Sequence, residues 1–424
     1  MNLGLLLVQI AVIVIAARVV GWLFRRIGQP QVMGEMVAGI LLGPSLLGAA
    51  APALSAQLFP PASLGFLNSV SQVGLLVFMF LVGLELNPRL LRGRGHTAVV
   101  TSHASIVAPL VLGVLLSLYL YPRLSDRSVG FHSFALFMGA AMSVTAFPVL
   151  ARILAERKLT RTRVGTVTLA CAAVADVTAW CILAVVVALV GAGHGALPPW
   201  AIAAGAAVYA LAMIFPVRRL LAPLERGFER AGRLTQDALG LVLLVALASA
   251  WATEALGIHA LFGAFMAGAV MPKGDRFVDA LTDKLQDLTV VLLLPLFFAF
   301  TGLRTRIGLV DGAEMWMLCG LVILVAVAGK LGGSALAARA TGMSWREAGA
   351  IGALMNTRGL MELVILNIGL DIGVISPAVF AMMVLMALAT TFMASPLLAL
   401  IYPARLIRAE AGEESEAPNP VPIA

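Results

Sequence analysis

Apolar runs dominate this chain. Interrupted by charge, glycine or proline, they fall at 3–24, 31–47, 63–86, 97–121, 131–154, 162–191, 198–217, 235–255, 257–272, 286–303, 315–338, 345–370 and 377–402. About 20 mostly apolar residues are needed for a helix to cross a bilayer, and inside hydrocarbon only helices and closed barrels satisfy their own backbone polar groups. The chain therefore reads as an all-α polytopic membrane protein of about thirteen transmembrane helices. The second and ninth runs are short, and the eighth and ninth merge at Leu256-Gly257. With 12% charged residues, against about 25% in a soluble domain, the chain cannot coat a water-facing surface. That excludes a cytosolic enzyme, a nucleic-acid binder and a disordered protein.

Charge placement orients the spans. Of the 29 Lys and Arg, 22 fall in alternate connections and the C-terminal tail. The other connections hold only Arg123, Arg127, Arg304 and Arg306, and Arg18, Lys330 and Arg358 lie within spans. Because cytoplasmic loops carry the excess of Lys and Arg, the N-terminus is expected outside and the C-terminus in the cytoplasm. The N-terminus has no basic run or cleavage site, so the first run reads as a span and not a removed signal peptide. An odd number of spans gives the first six and the last six opposite orientations. Two inverted six-helix repeats of this kind are a common plan in secondary transporters, where substrate sits near the midplane between discontinuous helices. The matching positions are the fifth and twelfth spans. Residues 403–424 turn acidic and proline-containing, which predicts a disordered tail. No Walker motif and no metal-binding histidine spacing occurs, and no cofactor is expected.

Chemistry concentrates where polar residues interrupt the spans. In the fifth, Ser143-Val144-Thr145-Ala146-Phe147-Pro148 sets a proline mid-membrane. It has no N–H, so a carbonyl one turn earlier loses its partner. Ser143 and Thr145 either line a site there or patch a kink. In the sixth, Asp176 is the lone carboxylate near the centre of its span, at a cost of about 2.5–3.5 kcal/mol; a proton, a cation or an ion-pair partner would justify it. Lys330 in the eleventh is its cationic counterpart, with structural and mechanistic roles both open. The twelfth reads Met355-Asn356-Thr357-Arg358-Gly359-Leu360-Met361-Glu362, which breaks the apolar period. Arg358 and Glu362, spaced i, i+4, suit a brace on one face, whereas Asn356 and Thr357 suit the lining of a site. Gly329, Gly332 and Gly333 are expected to let helices approach closely.

Five stretches carry a resemblance: QPQVMGEMVAGILLGPSLLG at 29–48, FLVGLEL at 80–86, TAFPVLARIL at 145–154, GIHALFGAF at 257–265 and MNTRGLMEL at 355–363. Together they resemble the monovalent cation:proton antiporter-2 family, in particular its Kef-type and plant cation/proton exchanger branch, and the likeness extends through residue 402. The resemblance implies a sodium/proton antiporter fold with crossed discontinuous helices. Residues 1–96 and 235–310 would form a dimerisation scaffold. Residues 97–191 and 311–402 would form a mobile core, with 192–234 linking the two. It also implies a homodimer in a bacterial inner membrane, exchanging K⁺ or Na⁺ for H⁺ by an elevator motion. Asp176 matches the family's essential carboxylate, Thr145 its hydroxyl in the first broken helix and Lys330 its intramembrane lysine. Two positions depart from the pattern: Ala175 stands where a polar residue is usual, and Ala172 where some relatives have Ser. With a single carboxylate the exchange is expected to be electroneutral. An organic-solute transporter on the same scaffold is the alternative, for which the Ala175 position would leave room.

Overall fold

The computed structural model describes residues 3–85, 95–126, 129–157, 159, 162–191, 199–257 and 259–403. Among them there is no strand. In chain order the helices are α1 (Leu3–Arg26), α2 (Gln31–Leu42), the short α3 (Leu47–Ala50) and α4 (Pro52–Leu58), α5 (Pro61–Glu85), α6 (Gly95–Leu124), α7 (Phe131–Ser143), α8 (Phe147–Glu156), α9 (Arg163–Gly191) and α10 (Pro199–Ala212). They continue with α11 (Arg218–Ala231), α12 (Gln236–Ala255), α13 (Ala260–Val270), α14 (Asp275–Leu288), α15 (Leu294–Arg304), α16 (Gly312–Val327), α17 (Gly333–Ala340), α18 (Trp345–Met355), α19 (Leu360–Asp371) and α20 (Pro377–Ile401). Among the described residues nine helical stretches are long and apolar enough to cross a membrane, and α18 with α19, bent by 43° at their junction, makes a tenth. Three shorter apolar helices, Phe131–Ser143, Arg163–Ala172 and Ala260–Val270, occupy the fifth, sixth and ninth sequence runs.

Two runs begin or end elsewhere than hydropathy places them. The tenth is preceded by α14, whose Asp275, Asp279, Asp283 and Asp287 are exposed while Phe277 and Leu281 are buried. This amphipathic helix passes through a π-helical turn, Thr289–Leu293, directly into α15. The seventh likewise runs on from α10 through Met213–Val217 into α11. Amphipathic extensions are invisible to an apolar-run count because half of their residues face water. The tail expected to be disordered lies outside the described residues beyond Pro403.

Glycines set the closest helix approaches and expose the inverted repeat. A Cβ on Gly39 of α2 would collide with the Phe298 carbonyl of α15, and one on Gly302 with the Gly39 backbone. In the other half a Cβ on Gly268 of α13 would collide with the Phe80 carbonyl of α5, and one on Gly83 with the Phe265 carbonyl. Gly34 presses on Gly21 of α1 as Gly263 presses on Ser249 of α12. The second run thus meets the tenth and first as the ninth meets the third and eighth. The segments Gly34-Glu-Met-Val-Ala-Gly39 and Gly263-Ala-Phe-Met-Ala-Gly268 repeat the same spacing. Small residues at crossings let backbones touch, which is how helices associate where lipid removes the hydrophobic drive.

Packing sorts the helices into two groups. The helices α1, α2, α5, α12, α13 and α15 pack principally on one another, and α6, α7, α9 and α16 to α20 do the same. Between the groups lies a cleft of about 450 Å³, lined by Glu35, Glu85 and Gln286 on one wall and by Ala146, Val149 and Leu360 on the other.

Candidate functional site

Both interruptions expected from the sequence are present and they cross. The fifth span breaks at Val144–Ala146, between α7 and α8. A helix that stops mid-membrane leaves its last carbonyls unpaired and carries about half a negative charge at that end. Here those carbonyls receive cations. Arg358 Nη1 donates to the Ala141 oxygen at 3.0 Å and Nη2 to the Met142 oxygen at 2.6 Å. Lys330 Nζ donates to the Ser143 oxygen and, at 2.9 Å, to the Ser105 oxygen. Ser105 has a carbonyl to offer because Pro109, four residues on in α6, has no N–H. Lys330 is fully buried in a π-helical turn, Ala328–Gly332. Of the three nearby glycines, Gly329 and Gly333 admit α6 at Pro109 and Ala108, whereas Gly332 faces open space.

The twelfth span unwinds over Asn356–Gly359, between α18 and α19. Its carbonyls meet neutral donors. Thr145 Oγ1 donates to the Met355 oxygen at 3.3 Å, and the Ala146 N–H to the Thr357 oxygen at 3.1 Å. Gly359 is extended (φ 170°), so its lack of a side chain serves space, not backbone freedom. A Cβ there would stand 2.8 Å from Val149 Cγ2. Arg358 Nη1 also donates to Glu362 Oε2 at 2.7 Å, and both side chains are fully buried. The i, i+4 brace read from the sequence is therefore formed. Neither amide atom of Asn356 has a hydrogen-bond partner among the described residues, although the residue is fully buried. Leaving buried polar atoms unpaired costs about 1–3 kcal/mol each.

The remaining candidates are placed as follows. Ser143 Oγ donates within its own helix, to the Ala140 oxygen at 2.7 Å, and Thr357 Oγ1 to the Leu354 oxygen at 2.8 Å. Asp176 lies on α9, which packs against α6, α7, α8 and α18. Its side chain, and that of Pro148, lie outside the described residues. Ala172 and Ala175 of α9 are fully buried in one cluster with Ala146, Phe147, Leu354 and Met355, so this part of α9 packs on both breaks. Sequence reading did not find Ser105 or Thr391. Pro109 marks the former in retrospect. Thr391 of α20 bonds to both the N–H and the C=O of Arg358, and no local pattern announces it.

Two spans broken within their length and crossed at their breaks, in halves related by inversion, are the plan of many secondary transporters. Residues 13–401 match the family described as sodium/hydrogen exchanger, transmembrane, and the chain belongs to that family. It is 46% identical over 406 residues to the Na(+)/H(+) antiporter NhaS4 of Synechocystis, covering 95% of this chain and 98% of that one. Against the K(+)/H(+) antiporter 1 of Saccharomyces cerevisiae it is 33% identical over 408 residues, covering 95% of this chain and 46% of that one. The chain thus spans about half the length of the yeast relative. The sodium proton antiporter MjNhaP1 from Methanocaldococcus jannaschii shares the fold. Its TM-score is 0.68 at 16% identity, and the match covers 97% of this chain and 100% of that one. The family resemblance read from the sequence is borne out, and the protein is a transporter and not an enzyme.

Proposed function

We propose that this protein exchanges a monovalent cation, K⁺ or Na⁺, for H⁺ across a membrane, with Asp176 as the group that takes proton and cation in turn. The observation that carries this reading is the 46% identity over nearly the full length of a Na⁺/H⁺ antiporter. The geometry supports it. The end of α18 presents a helix C-terminus met by neutral donors among the described residues, beside the unpaired, buried oxygen of Asn356. Hard cations take oxygen ligands. Thr145, Asn356 and Thr357, with Ser143 and main-chain oxygens, would complete the shell around the Asp176 carboxylate. Arg358, Glu362 and Lys330 hold the broken ends.

Residues 1–96 and 235–310 form the scaffold in this reading and 97–191 and 311–402 the moving core, with 192–234 as the link. The separate packing of the two helix groups supports this. The core carries the site past the scaffold in an elevator motion, in a homodimer, with the N-terminus outside and the C-terminus in the cytoplasm of a bacterial cell. The exchange is electroneutral: Ala175, buried beside Asp176, adds no second carboxylate.

The test is purified protein in liposomes with an internal pH dye and a panel of Li⁺, Na⁺, K⁺ and Rb⁺. The expected result is cation-dependent proton flux in the wild type and none in a well-folded Asp176→Asn variant. Full exchange by that variant overturns the role of Asp176. Wild-type flux indifferent to every cation overturns the exchanger. Clamping the membrane potential at about −100 mV should leave the Na⁺/H⁺ rate unchanged, and acceleration would show net charge movement.

A further inference from the structure

The residue at the centre of the second break has lost both of its helical hydrogen bonds. In an unbroken helix the Arg358 N–H would reach the Leu354 oxygen, but that oxygen is taken by the N–H and the hydroxyl of Thr357, at 3.1 and 2.8 Å. One side chain on another span makes good both losses. Thr391 Oγ1, fully buried on α20, accepts from the Arg358 N–H at 2.8 Å and donates to the Arg358 oxygen at 2.7 Å. Its neighbour supplies the contrast. The Thr390 hydroxyl turns back to its own helix, to the Met386 and Ala387 oxygens at 2.8 and 3.1 Å, as threonines in helices commonly do. The Thr391 hydroxyl spans 33 residues to the break instead.

We infer that Thr391 is a positioning residue for the transport site: by fixing the Arg358 backbone it sets the guanidinium that caps α7 and the orientation of Asn356 and Thr357. It touches no ion itself. Its consequence for transport rests on the exchanger reading; its consequence for the backbone does not.

The experiment compares Thr391→Val, which keeps the volume and deletes the hydroxyl, with Thr391→Ser, which restores it, and with Thr390→Val as control. Two readouts are taken on the purified full chain: amide hydrogen exchange at Arg358, and apparent cation KM and kcat in liposomes. Thr391→Val is expected to speed exchange at Arg358 and to raise KM, each about tenfold. Thr391→Ser should return both to within about threefold, and Thr390→Val should leave both unchanged. Where valine prevents folding, Thr391→Cys, a weaker donor and acceptor, takes its place with the same expectation. Exchange at Arg358 unaltered by Thr391→Val, or serine failing to restore it, overturns the inference. Altered exchange in a protein without cation-dependent flux upholds the positioning and overturns the exchanger reading.

Discussion

At the first break the carbonyls of Ala141, Met142 and Ser143 receive a guanidinium and an ammonium group, whereas at the second those of Met355 and Thr357 receive a hydroxyl and a peptide N–H. Both are helix C-termini stranded mid-membrane, with the same partial negative charge. Among the described residues, one is neutralised by full charges and the other by dipoles. In the proposed exchange, a visiting cation would be repelled from the end of α7 and attracted to the end of α18. The crossing is polarised although the fold is pseudo-symmetric. The first break also borrows its charges from the eleventh and twelfth spans, so its shape depends on the second half being in place.

Removing a charge should have the largest effect. Glu362→Ala leaves Arg358 buried without its carboxylate, and loss of one partner of a buried pair costs about 3–5 kcal/mol. A thermal or denaturant melt in detergent should show it, while a variant as stable as wild type would mean that the Ala141 and Met142 carbonyls suffice for Arg358. Next comes the neutral end. Asn356→Leu removes two unpaired buried polar atoms, so stability should hold or rise while the apparent cation KM increases about tenfold or more. A fall in stability with KM unchanged would make Asn356 a structural residue. Thr145→Val deletes one donor to α18 at nearly constant volume, and a severalfold rise in KM, equivalent to about 1 kcal/mol, is expected in the same flux assay. KM values unchanged for all four cations would remove Thr145 from the site.

A further test lies outside the spans and is read as a dependence on pH. Lys273 donates to the oxygens of Gly83, Leu84 and Gly268 at 2.9, 2.7 and 3.1 Å, gathering the ends of α5 and α13. Burial, and then the charge of Arg218, pull its pKa down to about 7, against the pull of Glu85. An unfolded lysine keeps its proton to about pH 10.4. Between these values the unfolded chain binds more protons, so stability should rise with pH from about 7 to about 10 and be flat below. Lys273→Met should remove that slope from a pH series of melts. A slope that survives the substitution belongs to another group.

How much of the site is legible before folding differs between the breaks. Pro148 betrays the first, because a missing N–H is a covalent fact. The cluster of Asn356, Thr357, Arg358 and Glu362 betrays the second by spoiling an apolar period, and the i, i+4 spacing of Arg358 and Glu362 foretells their pairing. Pro109 and Pro396 mark two further open carbonyls, Ser105 and Phe392, yet say nothing of what fills them. Lys330 takes one, and Gln29 Nε2 donates to the other at 3.0 Å.

Hydropathy and proline placement by themselves determined that the chain is an all-α membrane protein and where two of its spans fail, since each follows from the local chemistry of about 20 residues in lipid. Tertiary structure alone decided which charge meets which broken end, that Thr391 bridges Arg358, and that the end of α18 meets neutral donors among the described residues. Those bonds join residues between 33 and 225 positions apart. Partners so distant are chosen by how the spans cross, and in lipid that depends on where glycines let two backbones touch.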